Sequence, residues 1–102
     1  IAGIDEILAI AGLDIIFVGV YDLSKALGIP GQVTDQRVVG RLRDLSTKIA
    51  AAGKYPGTIV TREEQIAEVL GYGIKYITYS VDAEILGAGY KSVKAAFDAA
   101  TD

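Results

Sequence analysis

The chain predicts an α/β fold built on a parallel sheet, and three observations lead there. Three apolar runs of strand length, "DIIFVGV" (14–20), "YPGTIV" (55–60) and "IKYITYS" (74–80), are rich in β-branched and aromatic residues, as strands prefer. Stretches of helical period separate and follow them. The resulting order, a helix and then strand–helix three times, implies parallel strands joined by right-handed crossovers. Three parallel strands would leave both sheet edges open, so the pattern reads as a slice of a larger α/β domain.

The elements justify themselves in turn. "IDEILAIAG" (4–12) reads as the end of a helix leading into the first strand. That strand has little polar alternation, which suits a parallel strand covered on both faces. In "TDQRVVGRLRDLSTKIAAAG" (34–53), Val38, Leu42, Leu45, Ile49 and Ala52 form one apolar stripe, and Gly53 stands where a C-terminal cap belongs. "TREEQIAEVLGYG" (61–73) has Thr61 and Glu64 at capping-box spacing and offers Ile66, Val69 and Leu70 for burial. "DAEILGAGYKSVKAAFDAA" (82–100) places Leu86, Tyr90, Val93 and Phe97 on one face. Gly87 and Gly89 weaken its first half, as if another backbone approached there. No linker, repeat or low-complexity tract interrupts the series.

Composition removes several function classes. The chain has 102 residues, 51% of them hydrophobic and 23% charged, which is globular and fits one domain or part of one. Its longest apolar candidate, 4–20, is broken by Asp5, Glu6 and Asp14, short of the roughly 20 residues of a membrane span. No basic segment precedes an apolar core in the manner of a secretory signal, and a cytoplasmic location is the default. A net charge of −3 argues against nucleic acid. Tyr21, Tyr55, Tyr72, Tyr76, Tyr79 and Tyr90 do not interleave with a basic stripe either. Without cysteine there is no disulfide or thiolate chemistry, and without histidine the commonest general base and metal ligand are missing. The first residue is Ile1 and the chain contains no methionine, which fits a processed chain or a piece of a longer one.

Ligands of parallel α/β folds gather at the C-terminal ends of the strands. Three loops fall there: "GVYDLSKALGIPG" (19–31), "VTREE" (60–64) and "SVDAE" (80–84). The first is the longest, and long loops at that rim tend to be functional. Within it Asp22 has two readings, a hard oxygen ligand for Mg²⁺ or Mn²⁺ or an N-cap for the turn that follows; pattern alone favours the cap. Asp82 poses the same question, with the cap the default. Gly19 either relieves crowding or lets a ligand reach backbone amides. "GAGYKS" (87–92) lacks the Gly-Lys adjacency of a phosphate loop and lies in a helix. Lys48, Lys54, Lys75, Lys91 and Lys94 read as solvated surface; Lys75 sits at the wrong end of its strand for a Schiff base. Anion binding at the helix starts near Arg62 and Asp82 is a weaker option.

One resemblance covers nearly the whole chain. Gly19, Asp22, Leu23 and Ser24 form Gly-x-x-Asp-Leu-Ser, followed by Leu27, Gly28 and Gly31 as Leu-Gly-x-x-Gly. Gly53-Lys54, Pro56-Gly57 and Ser80-Val81-Asp82 follow in order. Together they resemble the C-terminal part of the HpcH/HpaI aldolase family, the class II, metal-dependent pyruvate aldolases. The resemblance implies a (β/α)₈ TIM barrel, with residues 1–102 supplying its last three βα units and so an incomplete barrel. It implies reversible cleavage of 2-keto-4-hydroxy acids to pyruvate and an aldehyde, with a divalent metal (Mg²⁺ or Mn²⁺, or else Co²⁺) stabilising the enolate. Carried over, Asp22 is a metal ligand, Tyr21 offers its backbone amide to the pyruvate carboxylate, Gly19 belongs to the same turn, and Ile59 lies near the substrate.

Two departures stand out. Val20 replaces a proline usual after the motif's first glycine. The glutamate ligand, the arginine and the histidine-centred base of the family fall on earlier strands, outside this chain. The chain alone is therefore expected to be inactive, and the full-length protein to be a homo-oligomer. The rival expectation is a non-catalytic half-barrel, split or engineered, that self-associates through its open edges.

Overall fold

The computed structural model describes residues 2–101. Its elements are α1 (Ile4–Leu8), β1 (Ile15–Phe17), α2 (Val20–Ala26), α3 (Gln36–Ala51), β2 (Tyr55–Val60), α4 (Glu64–Gly71), β3 (Tyr76–Tyr79) and α5 (Asp82–Thr101). The strands form one parallel sheet in the order β1-β2-β3, with Ile15 beside Tyr55, Phe17 beside Gly57, and Gly57 beside Tyr76. The predicted order holds with one added helix, α2, and with two strands shorter than expected. β1 ends at Phe17 rather than at residue 20, because a helix already begins at Val20 inside the stretch read as a loop. β3 is likewise shorter than 74–80.

The core lies between the sheet and α3. Val38, Leu42, Leu45 and Ile49 of α3 are buried, together with Val18 and Val60 from the sheet side. Ala52, expected in the same stripe, is exposed because α3 has ended and Ala52 is its C-cap. The chain then turns through Gly53 at φ 77°, and the Lys54 amide reaches back to the Ile49 carbonyl. At the other end the Asp35 carboxylate caps the helix, accepting from the Arg37 amide and from its guanidinium, each at 2.9 Å. These charge-assisted bonds hold the Asp35 carboxyl down at about 2.

The capping box at Thr61 takes a different form. Glu64 does not close it; Gln65 Oε1 instead accepts from the Thr61 amide at 2.9 Å and the Arg62 amide at 3.1 Å. Of the residues offered for burial by α4, Val69 is buried and Ile66 partly so, while Leu70 is 52% exposed. Lys54 is no simple surface lysine, since its ammonium donates to the Ile10 and Leu13 carbonyls at 2.8 and 2.5 Å. That contact fastens the end of the α1 segment to the start of β2.

Two apolar surfaces find no cover. Ile15, Phe17, Tyr55 and Tyr76 stand about half exposed on the sheet. Phe17 and Tyr76 meet edge to face at 6.4 Å across Gly57. Gly57 has no room for more: a Cβ there would lie 2.9 Å from Tyr76 Cδ1 and 3.0 Å from the Tyr76 carbonyl oxygen. The second surface is α5, whose 20 residues include none that is buried. A Cβ added at Gly87 or Gly89 would meet nothing from outside its own stretch of helix within 4 Å among the described residues, so the anticipated close backbone contact is not there. The radius of gyration, 17.1 Å, exceeds the roughly 13 Å of a compact chain of this size.

Candidate functional site

The rim of the sheet is assembled from the end of β1 outward. The Val18 amide donates to the Gly57 carbonyl at 2.8 Å, so the chain follows β2 one residue beyond the strand. The hydroxyl of Thr58, wholly buried, donates to the Val18 carbonyl at 2.9 Å and fixes that exit. Gly19 is extended (φ −76°, ψ 107°) and is the N-cap of α2. The first helical bond runs from the Leu23 amide to the Gly19 carbonyl at 2.9 Å.

Asp22 is therefore not the cap. It is the third residue of α2, with its carboxylate folded back over Gly19, as the last acid of a capping box would be. Its Oδ2 lies 3.0 Å from where a Cβ on Gly19 would sit. Gly19 thus relieves a specific crowding, that of the Asp22 carboxylate. Val20 occupies the first helical position, where proline is favoured because its missing N–H has no partner to lose. Valine keeps the turn by packing instead, being buried at 8% exposure.

The far end of the motif is equally determined. Gly28, at φ 76°, follows the end of α2. Its amide bonds the Lys25 carbonyl at 3.0 Å and the Ile29 amide bonds the Ser24 carbonyl at 2.9 Å, a Schellman closure. Ile29 then enters the core.

The expected site residues divide between two adjacent grooves. Gly19 and Asp22 line an apolar groove of about 320 Å³ along the open β1 edge, with Ile16, Phe17, Leu23 and Leu45 among its other walls. Tyr21 and Ile59 share a second groove of about 540 Å³ at the C-terminal ends of β2 and β3. Thr61, Tyr79, Ser80, Val81 and Glu84 complete much of that groove. The structure thus brings Tyr21 and Ile59 together and sets Asp22 on the other side of the same turn. Ser80 has φ 52°, the one non-glycine positive φ among the described residues, with its amide held by the Val60 carbonyl at 2.7 Å. The 80–84 loop was among the rim loops the sequence pointed to, but Ser80 was not singled out as a site residue, nor was the Tyr79 wall.

A divalent ion wants several oxygen donors. Among the described residues no group of three or more His, Cys, Asp or Glu could hold one. Asp22 would be one donor of the several such a site needs, and the others would come from outside these residues. The helix-terminus anion sites fare no better. The Thr61 and Arg62 amides are occupied by Gln65. Asp82 Oδ1 takes the Ala83 amide at 2.8 Å, and Asp82 and Glu84 make the start of α5 acidic. Asp82 is therefore the first residue of α5 and not its cap, as the default reading had it: the first helical bond runs from the Ile85 amide to the Val81 carbonyl at 3.1 Å. Among the described residues no helix is long and apolar enough to cross a membrane.

These features define a class: a three-stranded parallel α/β sheet whose candidate site residues gather at the strand ends. No protein-family model matches the chain. It is 27% identical over 97 residues to a 4-hydroxy-2-oxovalerate aldolase from Rhodococcus jostii, covering 95% of this chain and 38% of that protein. It is 31% identical over 94 residues to a 4-hydroxy-2-oxo-heptane-1,7-dioate aldolase from Salmonella paratyphi B, covering 92% and 36%. Among solved structures, an HpcH/HpaI aldolase from Desulfitobacterium hafniense superposes with a TM-score of 0.81 at 28% identity, covering 90% of this chain and 36% of its own. The citrate synthase SbnG superposes with a TM-score of 0.78 at 26% identity, covering 96% and 40%. The chain is thus similar in sequence to 4-hydroxy-2-oxo acid aldolases and in fold to an HpcH/HpaI aldolase. It spans less than half the length of the curated relatives it matches.

Proposed function

We propose that the chain supplies part of the 2-oxo acid seat of a carbon–carbon lyase that cleaves 4-hydroxy-2-oxo acids to pyruvate and an aldehyde. The observation that carries this reading is the single turn Gly19–Asp22. It places Tyr21 and Asp22 on consecutive residues just past the end of β1, with Tyr21 and Ile59 lining one groove and Asp22 lining the other. The names of both curated relatives share the 4-hydroxy-2-oxo unit and differ in the remainder of the molecule.

In such a cleavage a base takes the proton of the 4-hydroxyl, the C3–C4 bond breaks, and its electrons pass to the 2-oxo group. The aldehyde leaves, and the enolate gains a proton at C3 to give pyruvate. A divalent ion, Mg²⁺, Mn²⁺ or Co²⁺, would supply positive charge for the enolate. The chain's own part is to orient the acid. The Tyr21 amide, which precedes the first intrahelical bond, faces the substrate carboxylate. Asp22 offers one carboxylate ligand, and Ile59 supplies an apolar wall. The base and the remaining donors lie outside the described residues, so the isolated chain is inactive under this reading. The test is pyruvate release from a panel of 4-hydroxy-2-oxo acids by the full-length protein, with and without chelator. Cleavage that chelation stops supports the reading, and no cleavage of any member refutes it.

A second reading, a non-catalytic module that self-associates, is favoured by the uncovered sheet face and the uncovered α5. Native mass separates them: a stable oligomer of the 102-residue chain supports association, and a well-folded monomer counts against it.

A further inference from the structure

We propose that Ser24 is a positioning residue for the Tyr21–Asp22 turn, acting as a clamp between that turn and the 27–31 loop. The proposal rests on the functional reading above. Ser24 is wholly buried and touches neither groove. Its hydroxyl does two jobs at once, donating to the Tyr21 carbonyl at 2.6 Å and accepting from the Gly31 amide at 2.9 Å. Its own carbonyl takes the Ile29 amide at 2.9 Å. One residue therefore ties the first turn of α2 to the segment that closes the helix.

The need for such a clamp follows from the size of α2. A helix of seven residues is well below the roughly 12–15 at which isolated helices hold their shape. Its orientation must come from tertiary ties. On one side Val20, Leu23 and Ile29 enter the core, while Tyr21 and Asp22 remain exposed at the rim. The Ser24–Tyr21 bond is the polar tie that reaches the rim turn itself. Gly31, at φ 80°, presents its amide to the hydroxyl from a backbone shape that few other residues adopt. The serine of Asp-Leu-Ser and the last glycine of Leu-Gly-x-x-Gly are thus two halves of one contact.

The test compares Ser24→Ala, which loses both hydroxyl bonds, with Ser24→Cys, which keeps the shape and a weak donor and acceptor. In the full-length protein, Ser24→Ala should lower kcat/KM for the oxo acid on the order of 10–10²-fold, mainly through KM, with Ser24→Cys recovering part of the loss. Both are assayed below their melting temperatures; if the alanine variant does not fold, the cysteine variant carries the comparison. In the 102-residue chain, amide exchange at Gly31 should quicken, and the Tyr21 and Asp22 amide resonances should shift with it. A lower Tm with unchanged KM and kcat would overturn the proposal, as would a change confined to Gly31. If the wild-type protein cleaves no oxo acid, the functional reading fails. The resonances then still decide whether the clamp holds the turn.

Discussion

Helices α3 and α5 carry the same kind of sequence signal and meet opposite fates. α3 repeats Val38, Leu42, Leu45 and Ile49, and all four are at most 5% exposed. α5 repeats Leu86, Tyr90, Val93 and Phe97, and these are 60–74% exposed. An apolar stripe says which face of a helix wants cover, and nothing about what supplies it. α3 packs on the sheet within this chain, whereas α5 buries nothing against it. The half around α2 and α3 is packed, and the half around β3 and α5 is left open. The rim turn with Asp22 belongs to the packed half, and the groove it shares through Tyr21 opens toward the other.

The largest contrast should appear in core truncations. Ile49→Ala should cost about 2–5 kcal/mol of stability by urea titration, and Phe97→Ala less than about 0.5 kcal/mol. Similar losses at both sites would break the distinction between the halves. Gly57→Ala tests the seam between them. The new methyl must displace Tyr76 at both its ring and its carbonyl, so a loss of about 1–3 kcal/mol is expected. No loss would show that β3 moves freely against β2.

The smallest effect concerns the cap of α3. The folded Asp35 carboxyl is held at about 2, below the ordinary 3.8. Its contribution is then complete above the ordinary value and disappears as pH falls from there through about 2. Asp35→Ala should flatten that part of the acid unfolding curve, followed by circular dichroism against pH. An unchanged curve would show that the Arg37 contact does not stabilise the helix.

Much of this was legible beforehand. β-branched and aromatic runs separated by periodic stretches placed all three strands and their order, although β1, expected to be covered on both faces, leaves Ile15 and Phe17 half exposed. The Asp22 motif coincides with α2 and the turn that closes it, but its internal logic was not legible. Glycine as the cap, aspartate folded over it and serine clamping the loop are contacts between residues three to seven apart. No periodicity encodes them. Gln65 closing the α4 cap in place of Glu64 is a similar case, since either acceptor satisfies the pattern and only geometry chooses. The strand pattern put the 80–84 loop at the same rim as Tyr21, some 60 positions away, but not which of its side chains wall the groove. The exposure of α5 was illegible for another reason: the stripe is real, and what would cover it is not among the residues that carry it.

The central claim is that the Gly19–Asp22 turn seats a 2-oxo acid and contributes an aspartate to its cleavage. Steady-state pyruvate formation by the full-length protein, wild type against Asp22→Ala at saturating Mg²⁺ or Mn²⁺, tests it directly. The account predicts a fall in kcat/KM on the order of 10²–10³-fold, the scale of losing a group that stabilises developing charge, with the fold retained. Near-normal turnover in the variant would contradict it.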